Sequence, residues 1–297
     1  MRGDMRFFGC YTALVTPFDA DGHVDFPALD AHVEAQIAGG VQGVVPCGTT
    51  GESPTLSHEE HREVIRRVIE KVAGRVTVIA GCGSNCTDEA LSLTKFAVEV
   101  GADATLQVAP YYNKPSQEGL YRHYEAIAKA SSRPVVLYNV PGRCGVNLAP
   151  ATVARLFKIE NVTSIKEAAG SVDQVSEILD LCEIDVLSGD DNLTLPMLAV
   201  GAIGVISVSS NIVPGDVAAM CRAFRDGALD EARAYHRRMF ALVRALFIEG
   251  NPTPVKTAMA FLGRGNGIFR LPLVPLEEKN AEKLHAALVT YGLLERR

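Results

Sequence analysis

The stretch GGVQGVVPCGTTGES, residues 39–53, contains the pattern that decides the fold. Two glycines that suit a left-handed helix C-cap lead through a short turn into an apolar run at Gly43–Cys47. That run predicts a buried strand, and a polar loop rich in glycine and hydroxyl groups follows it. Similar glycine turns at Gly101 and Gly201 precede two later apolar runs. The sequence therefore predicts a repeating unit in which a helix leads into a strand through a glycine turn.

Further apolar runs alternate with helical patterns along the chain. They lie at Tyr11–Thr16, Val76–Ala80, Ala104–Val108, Val135–Asn139, Thr163–Lys166, Asp185–Ser188 and Gly204–Val208. The first six predicted strands begin about 30 residues apart, which is the size of a β-α unit. This alternation predicts an α/β fold, a closed parallel TIM (β/α)8 barrel. An open doubly wound sheet is the second interpretation, but no Gly-x-Gly-x-x-Gly follows the first strand.

Helix starts can also be read from the sequence. Ser57 and Glu60 have the spacing of a capping box, and apolar residues with helical spacing follow them. Asp25, followed by Pro27, predicts the start of an earlier helix. Thr87 precedes two acidic residues that suit the first turn of a third helix.

The chain after the last predicted strand shows helical patterns only. Some of this segment would complete the barrel, and the rest would form an addition to it. We therefore predict a (β/α)8 barrel at residues 1–227 and a C-terminal helical appendage at residues 228–297.

Composition and charge exclude several classes of partner. The chain is 47% hydrophobic and 22% charged, which is ordinary for a globular protein. Its net charge is −6 and it has no basic run, so nucleic acid and anionic membranes are not expected as partners. No apolar stretch is long enough to cross a membrane, and residues 1–6 lack the apolar core of a signal peptide. We expect a cytoplasmic protein.

The chain has seven widely spaced cysteines, and this number is odd. Such a pattern is typical of reduced thiols, and neither a disulfide nor a metal role is expected.

Lys166 stands where an apolar strand ends. Burial of an ammonium group costs several kcal/mol or lowers its pKa, and a neutral amine can attack a carbonyl carbon. Taken alone, this lysine is explained better by a side chain that reaches solvent or pairs with a carboxylate. The loops after the other strands reverse that judgement.

The active sites of such barrels lie at the carboxyl ends of the strands. The loop Gly48–Ser53 offers hydroxyls and backbone N–H groups for an anion, although a plain β-α turn is an equal interpretation. Pro110–Pro115 presents two adjacent tyrosines. Tyr138 lies near the end of the fifth predicted strand, and Arg143 follows it with a guanidinium group that could hold a substrate carboxylate. A core tyrosine and a surface arginine are the alternatives at these two positions.

Together these residue types suit one chemistry. A lysine amine forms a Schiff base with a keto group, and hydroxyls relay its protons. A backbone nest and an arginine hold carboxylates. The set predicts a lyase or aldolase that acts on a 2-oxo acid without a cofactor. No cluster of His, Asp and Glu stands at the predicted strand ends, so no metal is expected.

Five motifs carry a resemblance to a known family. They are GTTGE at 48–52, PYYNKP at 110–115, YNVPGR at 138–143, IKE at 165–167 and SGDD at 188–191. In these motifs, and over almost its whole length, the chain resembles the pyruvate-dependent class I aldolases. That family includes dihydrodipicolinate synthase and N-acetylneuraminate lyase, and the first group is the more similar.

The resemblance implies a role for each catalytic residue. Lys166 would form the Schiff base with pyruvate, and Tyr138, Thr49 and Tyr112 would form a proton relay. Tyr112 would come from a neighbouring subunit of a homotetramer that is a dimer of dimers.

The resemblance also implies the substrates and their ligands. Pyruvate would condense with L-aspartate 4-semialdehyde to 4-hydroxy-tetrahydrodipicolinate, the first committed step of lysine biosynthesis through diaminopimelate. Thr50 would hold the pyruvate carboxylate, and Arg143 that of the semialdehyde. Gly189 and Ile206 would supply backbone carbonyls near the site.

An inhibitory L-lysine site at a dimer interface is the last implication of the resemblance. The matching positions are Ser53, Pro54, His58, His61, Asn85, Glu89 and Tyr111. Considered alone, the histidine pair three residues apart is more typical of a solvated helix face, or occasionally of a metal site. Pro54 departs from the family pattern, which often has a small residue there.

Three other functions are alternatives to this one. A sister aldolase, such as N-acetylneuraminate lyase or a 2-keto-3-deoxy sugar acid aldolase, is disfavoured by Thr49 and Arg143. A protein that only binds a small acid has no use for Lys166 beside Tyr138. A phosphate-binding barrel enzyme is disfavoured by the acidic stretch 188–191 after the seventh strand.

Overall fold

Eight parallel strands close into a barrel in the computed structural model, which describes residues 7–295. Each strand pairs with the next in chain order, and the eighth pairs with the first. The strands are β1 (Gly9–Ala13), β2 (Gly43–Val45), β3 (Thr77–Gly81), β4 (Ala104–Val108), β5 (Val135–Asn139), β6 (Val162–Glu167), β7 (Asp185–Ser188) and β8 (Gly204–Ser207). The predicted TIM barrel and its eight strands are therefore confirmed, and the doubly wound sheet is wrong.

The predicted first strand is displaced by a few residues. It was expected at Tyr11–Thr16, but β1 begins at Gly9 and ends at Ala13. Beyond Ala13 the chain bonds to loops: the Val15 N–H donates to Asn211 Oδ1, and Thr16 Oγ1 donates to the Gly51 carbonyl. These local bonds satisfy the polar groups and remove the segment from the sheet.

Helices separate the strands and continue past the last one. They are α1 (Phe26–Ala38), α2 (His58–Val72), α3 (Thr87–Glu99), α4 (Gln117–Ala130), α5 (Pro141–Cys144), α6 (Pro150–Leu156), α7 (Val172–Leu181), α8 (Thr194–Ala199), α9 (Pro214–Arg225), α10 (Leu229–Leu246), α11 (Thr253–Phe261) and α12 (Glu278–Tyr291). The helix α9 follows β8 and contacts β1, and α10 packs against α9 and α12. The predicted C-terminal helices are thus present.

The local signals read from the sequence correspond to bonds in the structure. Ser57 caps α2 through the Glu60 N–H at 3.2 Å, and the Glu60 carboxylate accepts from the Ser57 N–H at 2.9 Å. The Asp25 carboxylate accepts from the Ala28 N–H at the start of α1. The predicted helix start at Thr87 is also confirmed, since α3 begins there.

The glycine turns before the strands are left-handed, as predicted. Gly40, Gly101 and Gly201 have φ angles of +77°, +97° and +114°. At the first turn Gly39 remains right-handed, and the left-handed residue is the second glycine.

One hydrophobic cluster extends from the barrel into the C-terminal helices. Val44 and Val205 of the strands share it with Leu242 of α10 and with Leu284 and Leu288 of α12. The division into a barrel at residues 1–227 and an appendage at 228–297 stays a prediction. No helix within residues 7–295 combines the length and apolar character that a bilayer crossing needs. The signal-peptide prediction concerns residues 1–6, which lie outside the described range.

We predict that Gly204→Ala destabilises the barrel at the β1–β8 seam. A Cβ at residue 204 would lie 2.3 Å from the Gly9 carbonyl oxygen, so the backbones must separate. The free energy of unfolding in urea should fall by about 1–3 kcal/mol. Gly215→Ala in α9 is the matched control, because its nearest new contact is at 3.7 Å. Equal stability of the two variants would contradict the prediction.

Candidate active site

Lys166 is buried at the carboxyl end of β6. Its side chain is 6% exposed, and its Nζ lies 4.2 Å from the centroid of the Tyr138 ring. Tyr138 is the residue opposite Lys166 in the β5–β6 register. Because strand side chains alternate between faces, Lys166 and the adjacent Glu167 point to opposite sides of the barrel wall. The amine therefore lies against an aromatic face.

Lys166 differs from the other buried lysine of the described chain. Lys256 is 4% exposed and forms an ion pair with Glu52, whereas Lys166 forms no ion pair among residues 7–295. The alternative of a structural lysine paired with a carboxylate thus applies to Lys256 and not to Lys166. The catalytic role predicted for Lys166 is compatible with this arrangement.

Thr49 and Tyr138 line one small cavity of about 40 Å³ between the ends of the strands. Tyr138 is 6% exposed at the end of β5, and Thr49 lies in the loop after β2. Tyr138 thus contacts Lys166 and shares a cavity with Thr49.

Gly189 allows the lysine side chain its position. A Cβ at residue 189 would lie 2.6 Å from the Ala168 Cβ and 3.0 Å from the Lys166 Cε. Any larger residue at position 189 would therefore collide with these side chains. The sequence alone did not reveal this requirement. Ile206 is fully buried in β8, opposite Tyr11 of β1.

Thr50 and Arg143 are joined by Asn251, a residue that the sequence reasoning missed. Asn251 Nδ2 donates to Thr50 Oγ1 at 3.0 Å, and Arg143 Nη2 donates to the Asn251 carbonyl at 3.0 Å. Asn251 lies just before α11, about 200 residues from Thr50 in the chain. Nothing in the local sequence around it marks such a contact.

Tyr112 faces solvent in the single chain. It is 90% exposed and has a φ angle of +70°, which is unusual for a residue with a side chain. The neighbouring Tyr111 is half-buried, and its carbonyl accepts from Asn85 Nδ2 at 3.2 Å. The loop therefore holds one tyrosine inward and presents the other to solvent.

Comparison with known proteins identifies the family. The model of the Dihydrodipicolinate synthetase family matches residues 6–290. The chain belongs to this family. It is 55% identical over 290 residues to the 4-hydroxy-tetrahydrodipicolinate synthase of Geotalea uraniireducens, a match that covers 97% of this chain and 100% of the relative. The chain is accordingly an enzyme of the lyase class.

Two solved structures of the dihydrodipicolinate synthase family are close in fold. The chloride-inhibited enzyme of Acinetobacter baumannii, complexed with pyruvate, is 44% identical with a TM-score of 0.95, covering 97% of this chain and 99% of that one. The enzyme of Cyanidioschyzon merolae with lysine bound is 41% identical with a TM-score of 0.95, covering 98% and 100%.

A second, larger cavity lies beside the site. It has a volume of about 610 Å³, and Thr49 and Arg143 belong to its wall. Six of the seven residues predicted for lysine line it: Ser53, Pro54, His58, His61, Glu89 and Tyr111. The seventh, Asn85, bonds to the backbone of Tyr111 as described above.

The charged groups of this cavity are held by specific bonds. Glu89 accepts from Ser84 Oγ at 2.5 Å and lies 3.5 Å from His58 Nδ1. His61 is buried, its Nε2 donates to the Gly81 carbonyl at 2.7 Å, and burial lowers its pKa. His61 is therefore a neutral donor to the backbone. Ser84 was not predicted, and it lies between the glycine and the asparagine of the loop after β3.

Among residues 7–295, one group of side chains brings three possible metal ligands together. Asp19, Asp21 and His23 form it in the loop after β1. The Asp19 carboxylate accepts from the backbone N–H groups of Asp21 and His23, so it also stabilises a turn. This group contains none of the predicted site residues.

Glu167 supports the strand end that carries Lys166. Its buried carboxylate accepts from Asn139 Nδ2 and Gln174 Nε2 at 3.1 Å and from the Ala169 N–H at 2.8 Å. Burial raises its pKa to about 7, although these hydrogen bonds act in the opposite direction. Glu167 thus ties the ends of β5 and β6 to α7.

We predict a pH-dependent stability that comes from Glu167. Its ordinary pKa is 4.5, and the folded state raises it to about 7. Its contribution to folding is therefore complete below about pH 4.5 and is lost as the pH rises through about 7. The free energy of unfolding of the unmodified chain, relative to Glu167→Gln, should fall across this range in denaturant titrations. A difference that stays constant with pH would contradict the assignment.

Proposed function

We propose that the chain condenses pyruvate with L-aspartate 4-semialdehyde to form 4-hydroxy-tetrahydrodipicolinate. The observation that carries this proposal is the buried Lys166, which lies against the ring of Tyr138 and has no ion pair among residues 7–295. Such an amine is a nucleophile toward a ketone, and a relative of known structure is complexed with pyruvate. The product would enter lysine biosynthesis through diaminopimelate.

The proposed reaction passes through an imine on Lys166. The neutral amine attacks the keto carbon of pyruvate, and water leaves as the imine forms. The methyl carbon loses a proton, which gives an enamine. This carbon attacks the aldehyde of the semialdehyde. The amino group of that substrate then attacks the imine carbon, displaces Lys166 and closes a six-membered ring.

Tyr138 and Thr49 are the proposed proton carriers. The ring of Tyr138 lies 4.2 Å from the Lys166 Nζ, and Tyr138 shares a cavity of about 40 Å³ with Thr49, which supports these two roles. Tyr112 would complete the relay from a neighbouring subunit. Its 90% exposure in a single chain supports that assignment, because an exposed tyrosine has room to enter another subunit's site. We extend the proposal to a homotetramer built as a dimer of dimers, although a family member 42% identical is described as monomeric.

The carboxylates of the two substrates have separate proposed ligands. Thr50 would bind that of pyruvate through its hydroxyl and N–H, and Arg143 would bind that of the semialdehyde. Gly189 and Ile206 would contribute backbone carbonyls. The link from Thr50 to Arg143 through Asn251 supports this division, since it holds the two groups at a set separation.

We also propose that L-lysine binds in the cavity of about 610 Å³ and inhibits the enzyme. Glu89 offers a carboxylate for an ammonium group, and Ser53 and Tyr111 line the same wall. A relative 41% identical has lysine bound. Because Thr49 and Arg143 also line this cavity, a ligand there would lie close to the proposed catalytic groups.

The first test is intact mass after incubation with pyruvate and sodium borohydride, with peptide mapping. We expect a reduced pyruvyl adduct on Lys166, because borohydride traps the imine. A coupled assay with aspartate semialdehyde should then show product. An adduct without product would indicate a sister aldolase and sugar acids as substrates. If no adduct forms, the proposed mechanism is wrong.

Two variants control this experiment. Lys166→Ala should give neither adduct nor activity while the circular dichroism spectrum is unchanged. Tyr138→Phe should still form the adduct, but its turnover should fall about 10²–10⁴-fold, the usual contribution of general acid–base catalysis. Turnover near that of the unmodified enzyme would refute the role of Tyr138.

For the lysine site, we predict that Glu89→Gln weakens L-lysine binding about 10- to 100-fold in calorimetric titration. A bond between an ammonium and a carboxylate contributes about 1.5–3 kcal/mol, and the amide loses its charge component. Glu99→Gln, at the exposed end of the same helix α3, is the matched control. The absence of both heat and inhibition at millimolar lysine with the unmodified enzyme would refute the proposed site.

A further inference from the structure

The loop that contains Thr49 and Thr50 ends in a buried acid. Glu52 is 2% exposed and has a left-handed backbone with a φ angle of +52°. Its Oε1 lies 2.5 Å from Lys256 Nζ, and its Oε2 accepts from the Arg270 N–H at 3.3 Å. A residue with a side chain adopts this conformation only where its surroundings impose it. The ion pair to α11 supplies such an imposed contact.

Lys256 is enclosed by aromatic rings. Its Nζ lies 4.3 Å from the centroid of Phe18 and 5.2 Å from that of Phe269. Removal of two charges from water costs most of what their attraction returns, so such a pair is a weak source of stability. The ion pair matters more for position than for stability. The short contact between Glu52 and Lys256 holds α11 at one position against the loop.

The same end of α11 reaches both proposed carboxylate ligands. Asn251, which lies just before this helix, donates to Thr50 Oγ1, and its carbonyl accepts from Arg143. A hydroxyl that accepts from Asn251 keeps its own proton free to donate to a substrate carboxylate. The orientation of the Thr50 hydroxyl therefore depends on where Asn251 stands, and that depends on α11.

We propose that Glu52, Lys256 and Asn251 form a clamp that positions Thr50 and Arg143 for the carboxylates of the two substrates. We name these three residues the α11 clamp. Lys256 and Glu52 are positioning residues, because they act through the loop and the helix. This inference rests on the proposed function of Thr50 and Arg143, and it assigns part of the active site to the C-terminal helices.

The clamp is tested with the double variant Glu52→Gln/Lys256→Met. Both charges are removed together, so no unpaired charge is left buried and the fold should persist. We expect the KM for pyruvate to rise about tenfold or more, with a smaller change in kcat. Borohydride trapping on Lys166 should require correspondingly more pyruvate, yet still reach completion. Loss of packing alone would not separate KM from kcat in this way.

Two further variants keep the test decisive. Asp30→Asn/Arg67→Met removes an ion pair between α1 and α2 and should leave both KM values unchanged. Asn251→Ala removes the contact with Thr50 without any change of charge, and it carries the test if the double variant does not fold. It should raise the KM for pyruvate as well.

The outcomes separate this proposal from the one on which it rests. If the unmodified enzyme forms no adduct on Lys166, the proposed function fails and the clamp fails with it. If the unmodified enzyme forms the adduct and the double variant has the same dependence on pyruvate concentration, only the clamp is refuted. An Asn251→Ala variant with unchanged KM values would also refute it.

Discussion

Closure of the eight-stranded barrel is the constraint on which the rest of the molecule depends. The β1–β8 seam requires the backbones to approach so closely that no Cβ fits at Gly204. Gly81 meets the same requirement on the other side, where a Cβ would lie 2.2 Å from the Cys47 carbonyl oxygen. A closed parallel barrel directs all strands the same way, so their carboxyl ends meet at one mouth. Residues that are distant in the chain, such as Thr49 and Tyr138, line one cavity for that reason.

The two buried lysines of the described chain have different surroundings. Lys256 receives a carboxylate and two aromatic rings, whereas Lys166 receives one aromatic ring and no ion pair among the described residues. Glu167, adjacent to Lys166, points to the other face of the wall and bonds to Asn139 and to α7. The acid nearest to Lys166 in sequence is thereby kept from pairing with it. Strand alternation thus directs the carboxylate of Glu167 and the amine of Lys166 to opposite faces, although the two residues are adjacent in sequence.

Much of this could be predicted from the sequence, because the signals are local. The regular spacing of the apolar runs and the glycine turns before them predicted the eight strands. The capping box at Ser57 predicted the start of α2. Strand-end positions predicted Lys166 and Tyr138 at the mouth of the barrel, and the two residues are opposite each other in the β5–β6 register. The contacts of Asn251 and Lys256 could not be predicted, since each joins segments about 200 residues apart and neither has a sequence period or motif. The single chain shows Tyr112 facing solvent, so its predicted role stays a prediction.

The Glu52–Lys256 ion pair constrains how the sequence of this protein can evolve. Loss of either partner alone leaves a charge buried without its counterpart, which is far more costly than loss of both. The effect of a substitution at one position therefore depends on the residue at the other, although 204 positions separate them in the chain. Evolution toward a chain without this pair must pass through an unfavourable single step or change both residues at once. Substitutions in the loop that carries Thr49 and Thr50 are thus coupled to substitutions in α11.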